Sequence, residues 1–213
     1  MKISSVNIGN PQTINWRGKK LQTGIYKYPV NTSIYLGTED VKNDHVIDRR
    51  YHGGVDKACY LFSEDHYTFW KTQYPNLDWN WGMFGENLTI KGLDEDQLMI
   101  GDVFKMGEAI VQITQPRQPC FKLGIKFGTQ KMIKEFVESG HSGTYVRVIE
   151  SGNVQKGDAF IPVEKATNSI SIKEVFNLLY ADKSFVEKAK AAIKIESLAE
   201  ACKRDLMKHY AIL

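Results

Sequence analysis

The segment Gln115-Pro116-Arg117-Gln118-Pro119-Cys120 ends on a thiol at the close of a stretch stiffened by two prolines. Each proline fixes its own φ and biases the preceding residue toward extended geometry. Cys120 is therefore expected at a defined point in space. Arg117 and Lys122 beside it favour, by charge proximity, the thiolate that attacks sulfur or binds a metal. The same residue also fits a small buried hydrophobe, and the local sequence leaves both readings open.

Two further segments carry chemistry-bearing residues. Arg49-Arg50-Tyr51-His52-Gly53-Gly54-Val55-Asp56-Lys57 combines cationic side chains with a glycine pair, which suits a loop closing its amides and charges around a phosphate. A solvated glycine turn with charges is the alternative. In Phe84-Gly85-Glu86-Asn87-Leu88-Thr89-Ile90, Glu86 and Asn87 either orient a polar ligand or cap the next strand. His66, inside a helical stretch, is assigned a packing or surface role, and Cys202 a structural one.

At 213 residues the chain can bury a sizeable core as one large domain or one domain with an appendage. A net charge of +3 with both signs mixed lacks the footprint of a nucleic-acid binder. Residues 1–10 show no apolar run with a cleavage site, and no stretch is long enough to cross a bilayer, so a cytoplasmic protein without a membrane partner is expected. Cys59, Cys120 and Cys202 are odd in number and far apart, which supports neither a disulfide framework nor a zinc knuckle. The sequons at Asn31 and Asn87 are then read as chance.

The elements that must position these residues change in texture along the chain. Residues 1–163 show short apolar alternations punctuated by glycine, which predicts strands: Lys2 to Ile8, a hairpin pairing Val103 to Met106 with Ala109 to Thr114, and Thr144 to Glu150 with Val146 and Val148 facing one way and Tyr145, Arg147 and Ile149 the other. Gly101-Asp102-Val103-Phe104 is echoed by Gly157-Asp158-Ala159-Phe160, a weak hint of repeated strand starts. Helices are predicted from Ser63 to Tyr74 and from Thr129 to Glu138, the second closed by Gly140. The fold class is α+β, mainly β: a closed or nearly closed barrel over residues 1–163 with peripheral helices. Residues 164–213 predict three short helices, each opened by a capping box: Ser171 with Glu174, Ser184 with Glu187, Ser197 with Glu200. Their apolar residues can form one small core. Residues 168–213 hold eight Lys/Arg against six Asp/Glu, too balanced for a DNA-binding face.

Five ordered motifs carry a resemblance: His52 to Ala58, Phe84 to Thr89, Ile100 to Phe104, Gln115 to Cys120 and Gly143 to Val148. Together they resemble the MOSC domain, named for the C-terminal domain of molybdenum cofactor sulfurases. More narrowly, the chain is similar to the bacterial YiiM-like proteins, in which that domain stands alone ahead of a three-helix extension. The resemblance implies a β-barrel that binds the molybdenum cofactor, with Cys120 matching the family's cysteine as metal ligand and catalytic residue. It implies Arg49, Arg50, His52, Gly53, Gly54 and Lys57 around the pterin and its phosphate, with Arg117 and Arg147 as further contacts. Glu86, Asn87 and Asp56 are weaker candidates for pterin hydrogen bonds or proton delivery.

The activity implied is detoxifying reduction of N-hydroxylated compounds: hydroxylaminopurine-type bases, hydroxylamines and amidoximes. A separate electron-donor reductase is implied, because the chain carries no flavin or iron–sulfur motif. The runner-up is a sulfur carrier holding a persulfide on Cys120, and a third reading is a cofactor-free interaction barrel. Pyridoxal phosphate is not expected, since the desulfurase domain that pairs with MOSC in full-length sulfurases does not occur in this sequence.

Overall fold

The computed structural model describes residues 1–49 and 52–212, so Arg50 lies outside the described residues. In chain order the strands are β1 (Lys2–Gly9), β2 (Gln12–Trp16), β3 (Lys19–Thr23), β4 (Lys27–Pro29), β5 (Ile34–Leu36), β6 (Cys59–Ser63), β7 (Leu88–Lys91), β8 (Val103–Met106), β9 (Ala109–Pro116), β10 (Thr144–Glu150), β11 (Gly152–Val154) and β12 (Phe160–Glu164). The helices are α1 (Tyr67–Gln73), α2 (Phe121–Lys126), α3 (Lys131–Ser139), α4 (Ile172–Tyr180), α5 (Val186–Ala192) and α6 (Glu200–Tyr210). Short 3-10 turns occupy Val55–Lys57, Glu64–His66 and Lys183–Phe185.

The main sheet runs β12-β8-β9-β10-β6-β7-β1-β4, with β6 and β7 parallel and its other neighbours antiparallel. The barrel expected from the sequence is not a closed ladder. The sheet curls until β1 meets the approach to β12, but among the described residues the two are paired through the isolated bridge Lys2–Ala159 and a few backbone bonds, such as Ile3 N to Asp158 O at 2.9 Å and Phe160 N to Met1 O at 3.0 Å, and not by a continuous ladder. The residues facing β1 there belong largely to the turn at Gly157 and Asp158, so no strand is available to continue the ladder.

Local signals behave as their chemistry requires. The hairpin β8–β9 pairs Met106 with Ala109 around Gly107, and Val146 and Val148 point into the core from β10 while Tyr145 and Arg147 stay half-buried on its other face. The Gly-Asp echo is a repeated turn. Asp102 Oδ2 accepts from Met99 N at 3.2 Å and Asp158 Oδ2 accepts from Gln155 N at 2.9 Å, each just before an edge pair in which the tilted rings of Phe104 and Phe160 have centroids 4.2 Å apart. α3 ends on Gly140 in the left-handed conformation, as predicted.

Two buried clusters pack against the sheet. An aromatic one, including Phe62, Trp70, Phe84, Phe127 and Phe136, seats α1, α2 and α3. An aliphatic one joins Val111, Ile113, Val146 and Val148 of the sheet to Val175, Leu178, Ala189, Cys202 and Leu206 of α4–α6 and to Leu198 just before α6. The C-terminal helices thus share their apolar core with the sheet instead of enclosing a separate one.

Of the three capping boxes, only Ser171–Glu174 forms. Asp182 accepts from Ser184 N at 2.9 Å and converts the next residues into a 3-10 turn, so α5 starts at Val186. Near Ser197, Ala199 N donates to Thr114 O of the sheet at 3.2 Å, and α6 begins one residue later without a side-chain cap. Among the described residues no helix is long and apolar enough to cross a membrane.

Candidate functional site

Cys120 sits where β9 leaves the sheet. Pro116 is the last β9 residue and still pairs with Thr144, whose hydroxyl donates to Gln115 O at 3.2 Å. Cys120 itself has extended backbone and caps α2, its carbonyl accepting from Leu123 N at 2.9 Å. The proline-stiffened segment therefore delivers the thiol to a fixed place, half-buried at the junction of two lobes of one cleft. The inner lobe has a volume of about 90 Å³ and the outer about 990 Å³, and His52, Lys57, Lys122 and Tyr145 line both along with Cys120.

Arg117 is the unusual group here. It is only 4% exposed, yet Nη1 has no hydrogen-bond partner and the side chain has no carboxylate ion pair among the described residues. Its guanidinium carbon lies 5.6 Å from the Tyr60 ring centroid and 5.2 Å from that of Phe136, and it faces the Tyr145 hydroxyl. Cation–π contacts offset part of the desolvation cost but leave a donor unmet. Gln115 Oε1, beside the outer lobe, is likewise buried without a partner.

The neighbouring groups are tuned by the same burial and charge. Burial, reinforced by Arg117, Lys122 and Lys57, lowers the His52 pKa to about 4, so its imidazole is neutral at pH 7. Burial pushes the Tyr145 hydroxyl up to about 12, which keeps it protonated. Lys57 is lowered, again chiefly by burial. Behind the inner lobe, burial brings Lys126 down to about 7, opposed by Glu86 and assisted by Lys27 and Arg117; its ammonium donates to Gly82 O at 2.8 Å and Ile25 O at 3.1 Å.

Not every candidate residue lines the cleft. Glu86 is fully buried and accepts from Gly82 N at 2.8 Å, Phe84 N at 3.1 Å, Thr89 Oγ1 at 2.8 Å and the Tyr67 hydroxyl, so its carboxylate organises the turn it follows. Asn87 does line the inner lobe, donating to Asp44 at 3.0 Å, while Asp44 pairs with Lys27. Arg147 points to Asp56 (Nε to Oδ1 3.1 Å) and Gln112 (2.9 Å), and Asp56 Oδ2 accepts from Glu200 N at 3.4 Å. This chain of contacts braces the turn carrying Lys57 against β10 and α6. Arg49 stands at the outer rim, paired with Glu39 and Asp40. Gly53 and Gly54 both have positive φ (72° and 82°), so the loop conformation itself calls for glycine.

Tyr60, Lys27 and Asp44 were not singled out by sequence, and α2 was missed because a six-residue helix containing Gly124 shows no periodicity. Tyr145 had a signal, namely its place on the half-buried face of β10.

The ordered motifs and the geometry converge on residues 48–160, which match the family described as the MOSC domain. The chain belongs to the MOSC-domain family. That family is associated with molybdenum-cofactor binding. Over 97% of its length this MOSC chain is 36% identical to the uncharacterized protein YflK of Bacillus subtilis (strain 168), of which it covers 93%. It is 28% identical over 77% of its length to a protein named Reductase from Gibberella moniliformis, spanning 30% of that protein. The crystal structure of YiiM from Geobacillus stearothermophilus matches the MOSC chain with a TM-score of 0.82 at 30% identity, covering 98% of both chains.

Proposed function

We propose that this chain binds the molybdenum cofactor in the Cys120 cleft and acts as an oxidoreductase that reduces N-hydroxylated compounds such as hydroxylaminopurine-type bases, hydroxylamines and amidoximes. The observation that carries the reading is Arg117, a buried guanidinium with an unmet donor in a cleft that a half-buried thiol also lines. The residues present fit the group. An anionic phosphate meets the unmet donor of Arg117, with the cationic Lys57 and Lys122 also lining the cleft; the thiol of Cys120 is a soft ligand suited to a metal held by dithiolene sulfur, and the outer lobe lies at the large end of ligand pockets. A relative named a reductase supports a redox role.

When bound, the cofactor supplies the redox chemistry by which an N-hydroxyl group takes up two electrons and two protons to give the amine and water. The chain's residues bind, orient and hold protons. The proline segment fixes the Cys120 thiol that would ligate the metal, while Arg117, Lys57 and Lys122 would hold the anionic end. Tyr145 keeps its phenolic proton and neutral His52 offers a hydrogen bond, both at the thiol's side of the cleft. The electrons come from a separate donor protein.

The test is molybdenum analysis and pterin fluorescence on protein from cofactor-competent cells, with an assay of hydroxylaminopurine reduction. Near-stoichiometric molybdenum and turnover lost in Cys120→Ser are expected; molybdenum-free protein without turnover overturns the reading. The partial exposure of Cys120 also suits a sulfur carrier. A labile extra sulfur on Cys120 in molybdenum-free protein would select that second reading.

A further inference from the structure

Beside Ser142, whose carbonyl accepts from the Tyr60 hydroxyl, three residues distant in sequence converge. His66 ends the 3-10 turn before α1, Glu95 follows β7, and His141 lies between α3 and β10. One ligating atom from each lies within 4.8 Å of the other two. Glu95 Oε2 is 3.1 Å from His66 Nε2 and 3.7 Å from His141 Nδ1, the second beyond hydrogen-bond range, so His141 Nδ1 is a buried nitrogen without a partner. The two imidazoles stack with centroids 3.6 Å apart.

We propose that His66, Glu95 and His141 form a second metal site, for a divalent transition ion of the zinc class, independent of the Cys120 cleft. Ligands on a tetrahedral zinc are separated from one another by about 3.3 Å, so the ion is admitted by side-chain movements of on the order of 1 Å. The carboxylate is already oriented: Glu95 Oε1 accepts from Gly143 N at 3.0 Å, leaving Oε2 to the ion.

An ion-pair network explains the arrangement less well. Ion pairing leaves His141 Nδ1 buried without a partner, whereas a divalent ion takes that nitrogen together with His66 and the carboxylate. The other nearby charges are largely balanced, since Lys173 of α4 pairs with Asp96 at 2.8 Å and Asp94 also faces it. Two imidazoles and one carboxylate suit zinc better than the all-oxygen shells of calcium or magnesium. Three protein ligands leave a position for water, reached from the side where the His141 side chain is 34% exposed.

The experiment titrates the full chain, untagged and stripped with chelator, in a Cys120→Ser background that removes thiolate ligation. Zn²⁺ is followed by calorimetry and thermal unfolding, and Co²⁺ by its absorption. One equivalent of Zn²⁺ that raises the unfolding temperature is expected, with Co²⁺ bands of nitrogen and oxygen ligation. Replacing His141 by Ala should weaken binding tenfold or more while the circular dichroism is unchanged, and Glu95→Gln should do the same. Failure of Zn²⁺ to bind well above the protein concentration, or an unchanged equivalent in His141→Ala, overturns the proposal. In Cys120-containing protein, molybdenum content should not respond to His141→Ala; a parallel loss would show that the two sites are not independent.

Discussion

The Tyr60 hydroxyl donates a 2.8 Å hydrogen bond to the carbonyl of Ser142. Tyr60 lines the inner lobe beneath Arg117, and Ser142 follows His141, so one buried contact ties the cleft to the loop of the second cluster. Tyr60→Phe keeps the ring but leaves that carbonyl unmet. A loss of about 1–2 kcal/mol is expected, read as a lower urea midpoint with unchanged slope.

Arg117→Met separates binding from folding. The substitution removes cation–π contacts worth about 2 kcal/mol or less each, against a desolvation cost of several kcal/mol for an unpaired buried charge. The cofactor-free protein should gain about 1 kcal/mol, seen as a higher unfolding temperature, while molybdenum content falls. A destabilised variant that retains molybdenum contradicts the anion-anchor role.

His52 should titrate at about pH 4 in the cofactor-free protein, followed by its ring proton resonances. Its folded pKa is depressed below the value near 6.5 of the unfolded chain, so its contribution is fully present above about pH 6.5 and is lost as pH falls through about 4. His52→Asn should flatten the stability profile across that window, and Arg117→Met should move the titration upward.

Glu86→Ala tests whether that carboxylate is structural. Removing it leaves two backbone amides and the hydroxyl protons of Thr89 and Tyr67 without an acceptor in a closed interior, for a cost on the order of 3–5 kcal/mol in urea unfolding. A variant of normal stability that only loses cofactor would restore Glu86 to the binding surface.

What the sequence determined by itself is what a few neighbouring residues can settle. Alternation fixed the inward face of β10, Gly140 ended α3, the Ser171–Glu174 box opened α4, and the two prolines before Cys120 announced a rigidly placed thiol. Ordered motifs, read together, also named the family, because each is a short local constraint. Tertiary structure decided whatever depends on a distant competitor. Asp182 and the Thr114 carbonyl displaced two capping boxes, four local and distant donors turned Glu86 inward, and Asp56 claimed Arg147. His66, Glu95 and His141 became neighbours only when the sheet curled and brought their three loops together. A hydrogen bond or charge has no spacing signature until its partner arrives, so these choices belong to the folded chain.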